Sequence, residues 1–188
     1  MKRIASVILT GALILSMGAA AFAATPSKTV ADEIKADAAV ETTGFDRVSI
    51  STEETEATVA QSAEVVKELA SSTEELKETA GATAEEKIEI IAVRTVTNKQ
   101  TPLFNRTKVT VSLSSAVIDA ACGENEQVTV LVMVPVVGKD GTVTYEKIAV
   151  TSGVVKDGKV QVKLTGALLK KIGKRKVTLV AIKKIAKV

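Results

Sequence analysis

The C-terminal segment holds the residues whose types and spacing are best suited to bind a partner. Eight Lys and Arg residues fall between positions 170 and 187, and this stretch contains no Asp or Glu. Such a concentration of cations favours association with an anionic cell-wall polymer or an anionic membrane surface, where each Lys contributes about 1 kcal/mol that salt weakens. The candidate anionic-surface residues are Lys170, Lys171, Lys174, Arg175, Lys176, Lys183, Lys184 and Lys187.

The basic segment also fits two roles that need no anionic surface. The cations would keep an edge strand solvated and so discourage edge-to-edge pairing between chains. They would also attract the acidic N-terminal half of the same chain or of a neighbouring copy. Nucleic acid is not an expected partner, because aromatic residues make up only 2% of the chain and cannot provide a stacking platform for bases.

The composition excludes the commonest catalytic and metal-binding chemistries. The 188-residue chain has no His and one Cys, which excludes His-based triads, His metal ligands, thiolate zinc clusters and iron–sulfur sites. No Ser-x-x-Lys motif occurs in the second half, and no Gly-rich phosphate loop follows a predicted strand. We therefore expect no enzymatic activity, no metal and no cofactor.

Carboxylates and the single thiol are weaker candidates for chemistry. Paired carboxylates can act as acid and base without His, but most Glu residues here fall on predicted helix surfaces. Asp119, Glu124 and Glu126 lie close in sequence and would bind a hard cation only weakly, because no Asp-x-Asp-x-Asp-Gly loop is present. Cys122 is expected to be a small buried hydrophobic residue at the end of a helical turn, and a reactive or intermolecularly paired thiol is the alternative.

Residues 1–23 are typical of a secretory signal peptide. Lys2 and Arg3 precede an apolar run over residues 4–17, and the Ala-Phe-Ala motif at residues 21–23 fits a cleavage site. The run is shorter than the roughly 20 residues that a membrane-spanning helix needs, so we expect cleavage rather than a retained anchor. The protein is then secreted and is extracellular or noncovalently associated with the cell envelope.

The rest of the chain divides near residue 88 into two parts of opposite charge. Residues 24–88 carry six basic and fifteen acidic residues, whereas residues 89–188 carry seventeen basic and seven acidic residues. The composition changes at the same place, from Ala, Thr, Ser and Glu to Val, Lys, Ile and Gly. We predict a flexible or weakly structured segment at 24–50, a helical acidic region at 51–87 and a basic domain at 88–188.

The acidic region is predicted to be helical. Val and Ala residues recur at spacings of three and four between positions 59 and 70, which indicates an amphipathic helix over residues 52–70. The sequence from Ser51 to Glu54 fits a capping box at the start of this helix. A shorter helix is predicted over residues 73–80, and residues 30–40 fit another short helix.

The basic domain is predicted to consist mainly of strands. Alternating apolar and polar residues indicate strands with one buried face, and the Asp-Gly pairs at 140–141 and 157–158 indicate hairpin turns. Short helical runs interrupt the strands at 114–122 and 165–172. The predicted strands cover residues 88–96, 108–113, 127–136, 142–151, 159–164 and 176–182.

These elements predict a mostly β fold, α+β overall, in which a partly helical acidic N-terminal region precedes a small antiparallel Ig-like β-sandwich with short helical turns. Over residues 88–184 the arrangement is similar in outline to the small Ig-like β modules of exported Gram-positive proteins. This resemblance rests on the strand pattern and implies no functional residues.

Two stretches of the basic domain resemble each other. Residues 111–118 and 162–169 align as the end of a strand and the start of a helical run. Both continue through Gly to Val-Thr followed by two aliphatic residues, at 128–131 and 177–180. A duplicated strand–helical turn–strand unit accounts for this likeness. The alternative is that two corners of one fold reached similar sequences independently.

The sequence therefore predicts an exported, non-enzymatic protein with a structural or adhesive role at the cell envelope. Its expected partner is an anionic cell-wall polymer or membrane surface, or another exported protein. The alternatives are an assembly subunit or regulator that binds another exported protein, and a hydrolase that works without His.

Overall fold

The computed structural model describes residues 34–41, 48–70, 72–83 and 85–186. The predicted signal peptide, residues 1–23, lies outside this range. Strands and helices within it are β1 (Lys35–Glu41), β2 (Ser49–Ser51), α1 (Glu56–Ala70), α2 (Thr73–Ala80), β3 (Glu86–Gln100), β4 (Lys108–Ser114), α3 (Ala116–Ala121), β5 (Gln127–Val137), β6 (Val143–Lys156), β7 (Lys159–Thr165), α4 (Gly166–Ile172) and β8 (Lys176–Ala186).

These eight strands form one antiparallel sheet in the order β1-β4-β7-β6-β5-β8-β3-β2. The sheet curls until its two outermost strands, β1 and β2, approach each other. The mostly antiparallel β architecture is thus confirmed, and each of the six predicted strands is present. The predicted Ig-like sandwich is not confirmed, because the described strands belong to a single, nearly closed sheet rather than to two facing sheets.

The main core lies inside the curled sheet. Val111 and Leu113 of β4 and Val162 and Leu164 of β7 are fully buried, while the residues between them face outward. This follows from the alternation of side chains along a strand, which places every second residue on the same face.

A second core lies between the outer face of the sheet and the helices of the acidic region. Val65 and Leu69 of α1 pack with Leu76 of α2 against Leu131 and Met133 of β5. The predicted amphipathic stripe is therefore used within the chain. It also explains why β5 is apolar on both faces, because one face borders the inner core and the other lies under the helices.

Buried hydrogen bonds between side chains hold α1 on the sheet. Gln61 Nε2 donates to Thr178 Oγ1 at 3.0 Å, Thr178 Oγ1 lies 2.8 Å from Thr95 Oγ1, and Thr95 Oγ1 lies 2.8 Å from Ser62 Oγ. Thr95 and Thr178 are fully buried, so these hydroxyl groups must find partners within the protein.

Two predictions for the N-terminal half of the chain require correction. The first helix begins at Glu56, not near residue 52, because Ser51 pairs with Thr97 in β2. Its capping hydrogen bonds are exchanged instead between Thr55 and Thr58, each of which donates its backbone N–H to the hydroxyl of the other. A short helix is also predicted over residues 30–40, within the segment predicted to be flexible. Residues 35–41 of that segment instead form a strand that pairs along β4.

Register in the sheet relates the two similar stretches of the basic domain by an approximate two-fold axis. Val111 and Val162, which correspond in the sequence alignment, lie opposite each other in the β4–β7 pair. Leu131 and Val180, which also correspond, lie opposite each other in the β5–β8 pair. Two strand–helix–strand units placed so symmetrically favour duplication over independent corners.

Candidate functional site

Five of the eight predicted cations lie at one end of the sheet, which we call the basic end. Here β3, β5 and β7 finish and β4, β6 and β8 begin. At its centre lies α4, whose first turn is capped by Thr165: the hydroxyl accepts a hydrogen bond from the Leu168 N–H at 3.3 Å. Leu169 and Ile172 are fully buried, which leaves Lys170 and Lys171 exposed.

Three neighbouring elements fix the position of α4. Lys170 Nζ donates to Asn105 Oδ1 at 2.8 Å in the loop between β3 and β4. Lys171 Nζ donates to the Ile148 carbonyl of β6 at 2.6 Å. Asn98 of β3 is buried and donates from Nδ2 to the Gly173 carbonyl at 2.7 Å. Hydrogen bonds therefore hold the helix that carries the first two predicted cations between β6 and the β3–β4 loop.

Gly166 is required where α4 meets that loop. A Cβ atom at this position would lie 2.4 Å from the Phe104 carbonyl oxygen and 2.9 Å from Asn105 Cα. Because backbone atoms cannot move away as a flexible side chain can, a larger residue would displace the loop. The close approach of loop and helix thus depends on glycine.

The predicted cations divide between the two ends of the sheet. Lys174 and Arg175 are exposed beside α4, and Lys176 begins β8 at the basic end. Lys183 and Lys184 lie further along β8, roughly 25 Å away at about 3.3 Å per residue. The predicted set of eight is therefore not one cluster, and Lys187 lies outside the described residues.

Lys183 and Lys184 have local structural partners at the opposite end. Lys183 Nζ lies 3.0 Å from Glu126 Oε1 and also donates to the Ala121 carbonyl. Lys184 Nζ lies 3.5 Å from the Gly81 carbonyl. Partial burial acts to raise the pKa of Glu126, but hydrogen bonds from the Gly123 N–H and from Lys183 outweigh it and hold that pKa below its usual value.

Sequence reasoning missed several cations that the fold adds to the basic end. They come from four separate parts of the chain, and only the strand register brings them together with α4. No local pattern marks them, because none of them lies in a run of adjacent basic residues. They are Lys99, Arg106, Lys108, Lys139 and Lys163.

Within the described ranges, the cations of the basic end form no salt bridge. The four salt bridges among the described residues lie elsewhere and join Lys77 to Glu74, Arg94 to Glu54, Lys147 to Glu75 and Lys183 to Glu126. At the basic end, by contrast, Lys170, Lys171 and Arg175 donate to an amide or to backbone carbonyls. Among the residues that the structure describes, their positive charge therefore has no paired carboxylate, which favours binding of an anionic partner.

The carboxylates of the acidic helices are used mainly to hold neighbouring elements. Glu75 lies 3.2 Å from Lys147 Nζ, and Glu68 accepts a hydrogen bond from the Tyr145 N–H at 3.2 Å. The Tyr145 hydroxyl donates to Glu64. Burial, followed by this hydrogen bond, raises the pKa of Tyr145 to about 12. A cleft of about 110 Å³ remains between these groups and α2.

The remaining candidates from the sequence have structural roles. Glu124 accepts a hydrogen bond from the Asp157 N–H at 3.0 Å, and among the described residues no three His, Cys, Asp or Glu side chains are grouped as metal ligands. Cys122 is partly buried and unpaired, and burial raises the pKa of its thiol. That shift leaves less of the reactive thiolate at neutral pH.

Comparison of the chain with protein-family models, with curated proteins and with solved structures finds no match. Across the residues that the structure describes, no helix is both long enough and apolar enough to cross a membrane.

Proposed function

We propose that this is an exported, non-enzymatic protein that associates noncovalently with the anionic cell envelope through its basic end. The observation that carries the proposal is the set of cations around α4, which have no carboxylate partner among the described residues. Export is supported by the signal-peptide pattern of residues 1–23. The role is then structural or adhesive, with the basic end facing the envelope.

The folded position of the helix that carries these cations supports the proposal. A flexible basic tail loses conformational freedom when it binds, whereas the hydrogen bonds from Lys170 to Asn105 and from Lys171 to Ile148 fix α4 in advance. Several fixed cations on one end of a molecule attract an anionic surface and also orient the molecule on it.

The two alternatives are less well supported. A partner bound by the helical stripe would need Val65 and Leu69 exposed, and both are buried against the sheet. A hydrolase built from Lys and carboxylates would need such a pair free in a cleft, and in the cleft beside α2 Lys147 is bound to Glu75 and Thr79.

Cosedimentation of residues 24–188 with anionic cell envelopes tests the proposal. The fragment keeps every described element, which matters because β1, β2 and both acidic helices pack on the same sheet as the basic strands. We expect binding at low salt and release at high salt. Combined Lys170→Glu and Lys174→Glu substitutions should weaken binding tenfold or more, at about 1 kcal/mol per lysine.

The matched control is combined Lys156→Glu and Lys159→Glu, which reverses two exposed cations at the opposite end. This control should bind as well as the unsubstituted fragment. The proposal fails if the unsubstituted fragment stays in solution at low salt, or if both charge-reversed proteins lose binding equally.

A further inference from the structure

Exposed apolar side chains concentrate at the basic end. In the described part of the chain, seven large hydrophobic residues are exposed, and five of them lie on two projections at this end. One projection is the β3–β4 loop, where Leu103 is 72% and Phe104 54% exposed. The other is the tip of the β5–β6 hairpin, which carries Val136, Val137 and Val143.

The hairpin tip extends beyond the two strands that flank it, β7 and β8. Pairing of β5 with β8 ends at Met133, and pairing of β6 with β7 is confined to residues 153–156. Residues 134–137 and 143–146 therefore pair only with each other among the described strands. Val137 at the tip is 69% exposed, so the hairpin presents an apolar side chain to solvent.

The basic helix α4 lies between the two projections. Lys170 contacts the β3–β4 loop at Asn105, and Gly166 packs against the carbonyl of Phe104. On its other side, Lys171 contacts β6 at Ile148, the strand that continues from the hairpin tip. The result is a basic surface with an apolar projection on each side.

Four carboxylates of the described chain lie at this end or beside its hairpin, and none of them forms a salt bridge with a cation of α4. Two of the four belong to α1 and accept hydrogen bonds from Tyr145 of the hairpin. Asp140 lies in the hairpin turn, where hydrogen bonds from the Thr142 hydroxyl and N–H hold its pKa below the usual value. Its neighbour Lys139 balances the charge in that turn. Glu146 lies on β6 in the hairpin, and cations outnumber carboxylates across the whole end.

Within the function proposed above, we infer that the anionic partner is a lipid bilayer surface. An anionic polymer would use the cations alone and would leave Leu103, Phe104 and the hairpin valines in water. A bilayer interface takes up apolar side chains at its boundary and binds cations at its headgroups, so it uses both features. The two projections insert below the headgroups, and the cations of α4 contact the lipid phosphates.

Tryptophan fluorescence tests insertion directly, because the chain contains no Trp. Phe104→Trp places the fluorophore in the loop projection, and Val150→Trp places it at another exposed site, on the middle of β6. Both would be made in residues 24–188, since the apolar signal segment would itself enter lipid. With vesicles containing phosphatidylglycerol, Phe104→Trp emission should shift to the blue and be quenched by brominated lipid. Val150→Trp emission should do neither.

Vesicle cosedimentation separates this inference from the proposed function. Combined Leu103→Ser and Phe104→Ser should lower the partition coefficient for phosphatidylglycerol vesicles by about tenfold or more, given the apolar surface returned to water. The same variant should bind purified anionic wall polymer as the unsubstituted fragment does. Phosphatidylcholine vesicles should bind the unsubstituted fragment much more weakly than phosphatidylglycerol vesicles.

Each contrary outcome has a distinct meaning. Binding to wall polymer without binding to phosphatidylglycerol vesicles overturns the lipid inference and leaves the proposed function standing. Vesicle binding that the Ser substitutions do not weaken, with no blue shift at position 104, also overturns insertion. Failure to bind either anionic surface at low salt overturns both the inference and the proposed function.

Discussion

Ile91 and Ile148 occupy corresponding β-bulges in the two halves of the sheet. The register between β3 and β8 skips Ile91, and the register between β5 and β6 skips Ile148. Both side chains are buried in the inner core. The flanking sequences also agree, since residues 89–93 are Glu-Ile-Ile-Ala-Val and residues 146–150 are Glu-Lys-Ile-Ala-Val. A shared bulge in a shared sequence extends the repeated unit to β3 and β6.

Titration of the single tyrosine should report the contact between β6 and α1. Tyr145 is the only Tyr in the chain, and burial together with the hydrogen bond to Glu64 raises its pKa from 10.0 to about 12. Absorbance of the tyrosinate should therefore show a midpoint near pH 12 in the folded protein and near pH 10 in denaturant.

The sign of the effect on stability follows from this shift. The folded protein holds the phenol proton more tightly than the unfolded chain does, so the stabilising contribution is complete below pH 10 and is lost as the pH rises towards 12. Glu64→Gln should lower the midpoint. A folded-state midpoint near pH 10 would contradict both the burial of Tyr145 and its hydrogen bond to Glu64.

Gly153→Ala should destabilise the fold through crowding in the inner core. A Cβ atom there would lie 2.7 Å from Val160 Cγ1 and 3.1 Å from Val130 Cγ2. Overpacking of this kind costs about 1–3 kcal/mol of unfolding free energy, which chemical denaturation would measure. Gly123→Ala is the control, because its Cβ would meet only Glu126 Oε2 at 3.8 Å. An additional Val160→Ala should recover part of the loss, and equal stability of the two Ala variants would refute crowding as the cause.

Thr178→Val should loosen α1 from the sheet. The substitution keeps the shape of the side chain but removes the hydroxyl that Gln61 donates to and that lies 2.8 Å from Thr95 Oγ1. Leaving these buried groups without partners costs about 1–3 kcal/mol. Hydrogen exchange should show faster exchange of α1 amides in this variant, whereas Thr178→Ser should stay close to the unsubstituted protein. Unchanged α1 protection in Thr178→Val would show that the hydroxyls are not what holds the helix.

Removal of β1 should make the protein self-associate. A chain that begins at residue 48 lacks Lys35–Glu41, so the outer edge of β4 loses its hydrogen-bonded neighbour. Unpaired strand edges recruit other chains, and light scattering should detect dimers or larger species that residues 24–188 do not form. A further Thr110→Lys on β4 should reduce this association, and a monomeric truncated chain would contradict the prediction.

Strands and helices could be predicted from the sequence where neighbouring residues determine them, and were missed where distant residues do. The strands of the basic domain were predictable because large apolar residues alternate and Asp-Gly marks the turns. The strand β1 was missed because its Ala-rich sequence, Lys-Ala-Asp-Ala-Ala-Val-Glu, has low strand propensity. It becomes a strand because the edge of β4 offers hydrogen bonds, and that edge lies far along the chain.

The candidate site was predictable only in part, for the same reason. Lys170 and Lys171 fall on the helical run predicted at 165–172, where the apolar residues occupy the other face, so their exposure was predictable. Lys183 was placed with them because it is near in sequence, but an extended strand carries it to the other end of the sheet. Lys99 and Lys163 join the site through strand register, for which the sequence contains no short-range signal.

The position of β1 and β2 in the sheet has a consequence for the order of folding. Strands β6 and β7 pair across a tight turn at Asp157 and Gly158. Strands β3 and β4 do not pair with each other, because β2 lies along the outer edge of β3 and β1 along the outer edge of β4. These two strands are synthesised before their partners β4 and β3. During vectorial synthesis they must wait unpaired until the later strands emerge, so closure of the sheet is a late, non-local step. Strands β1 and β2 therefore complete the sheet only after the strands that they pair with have been made.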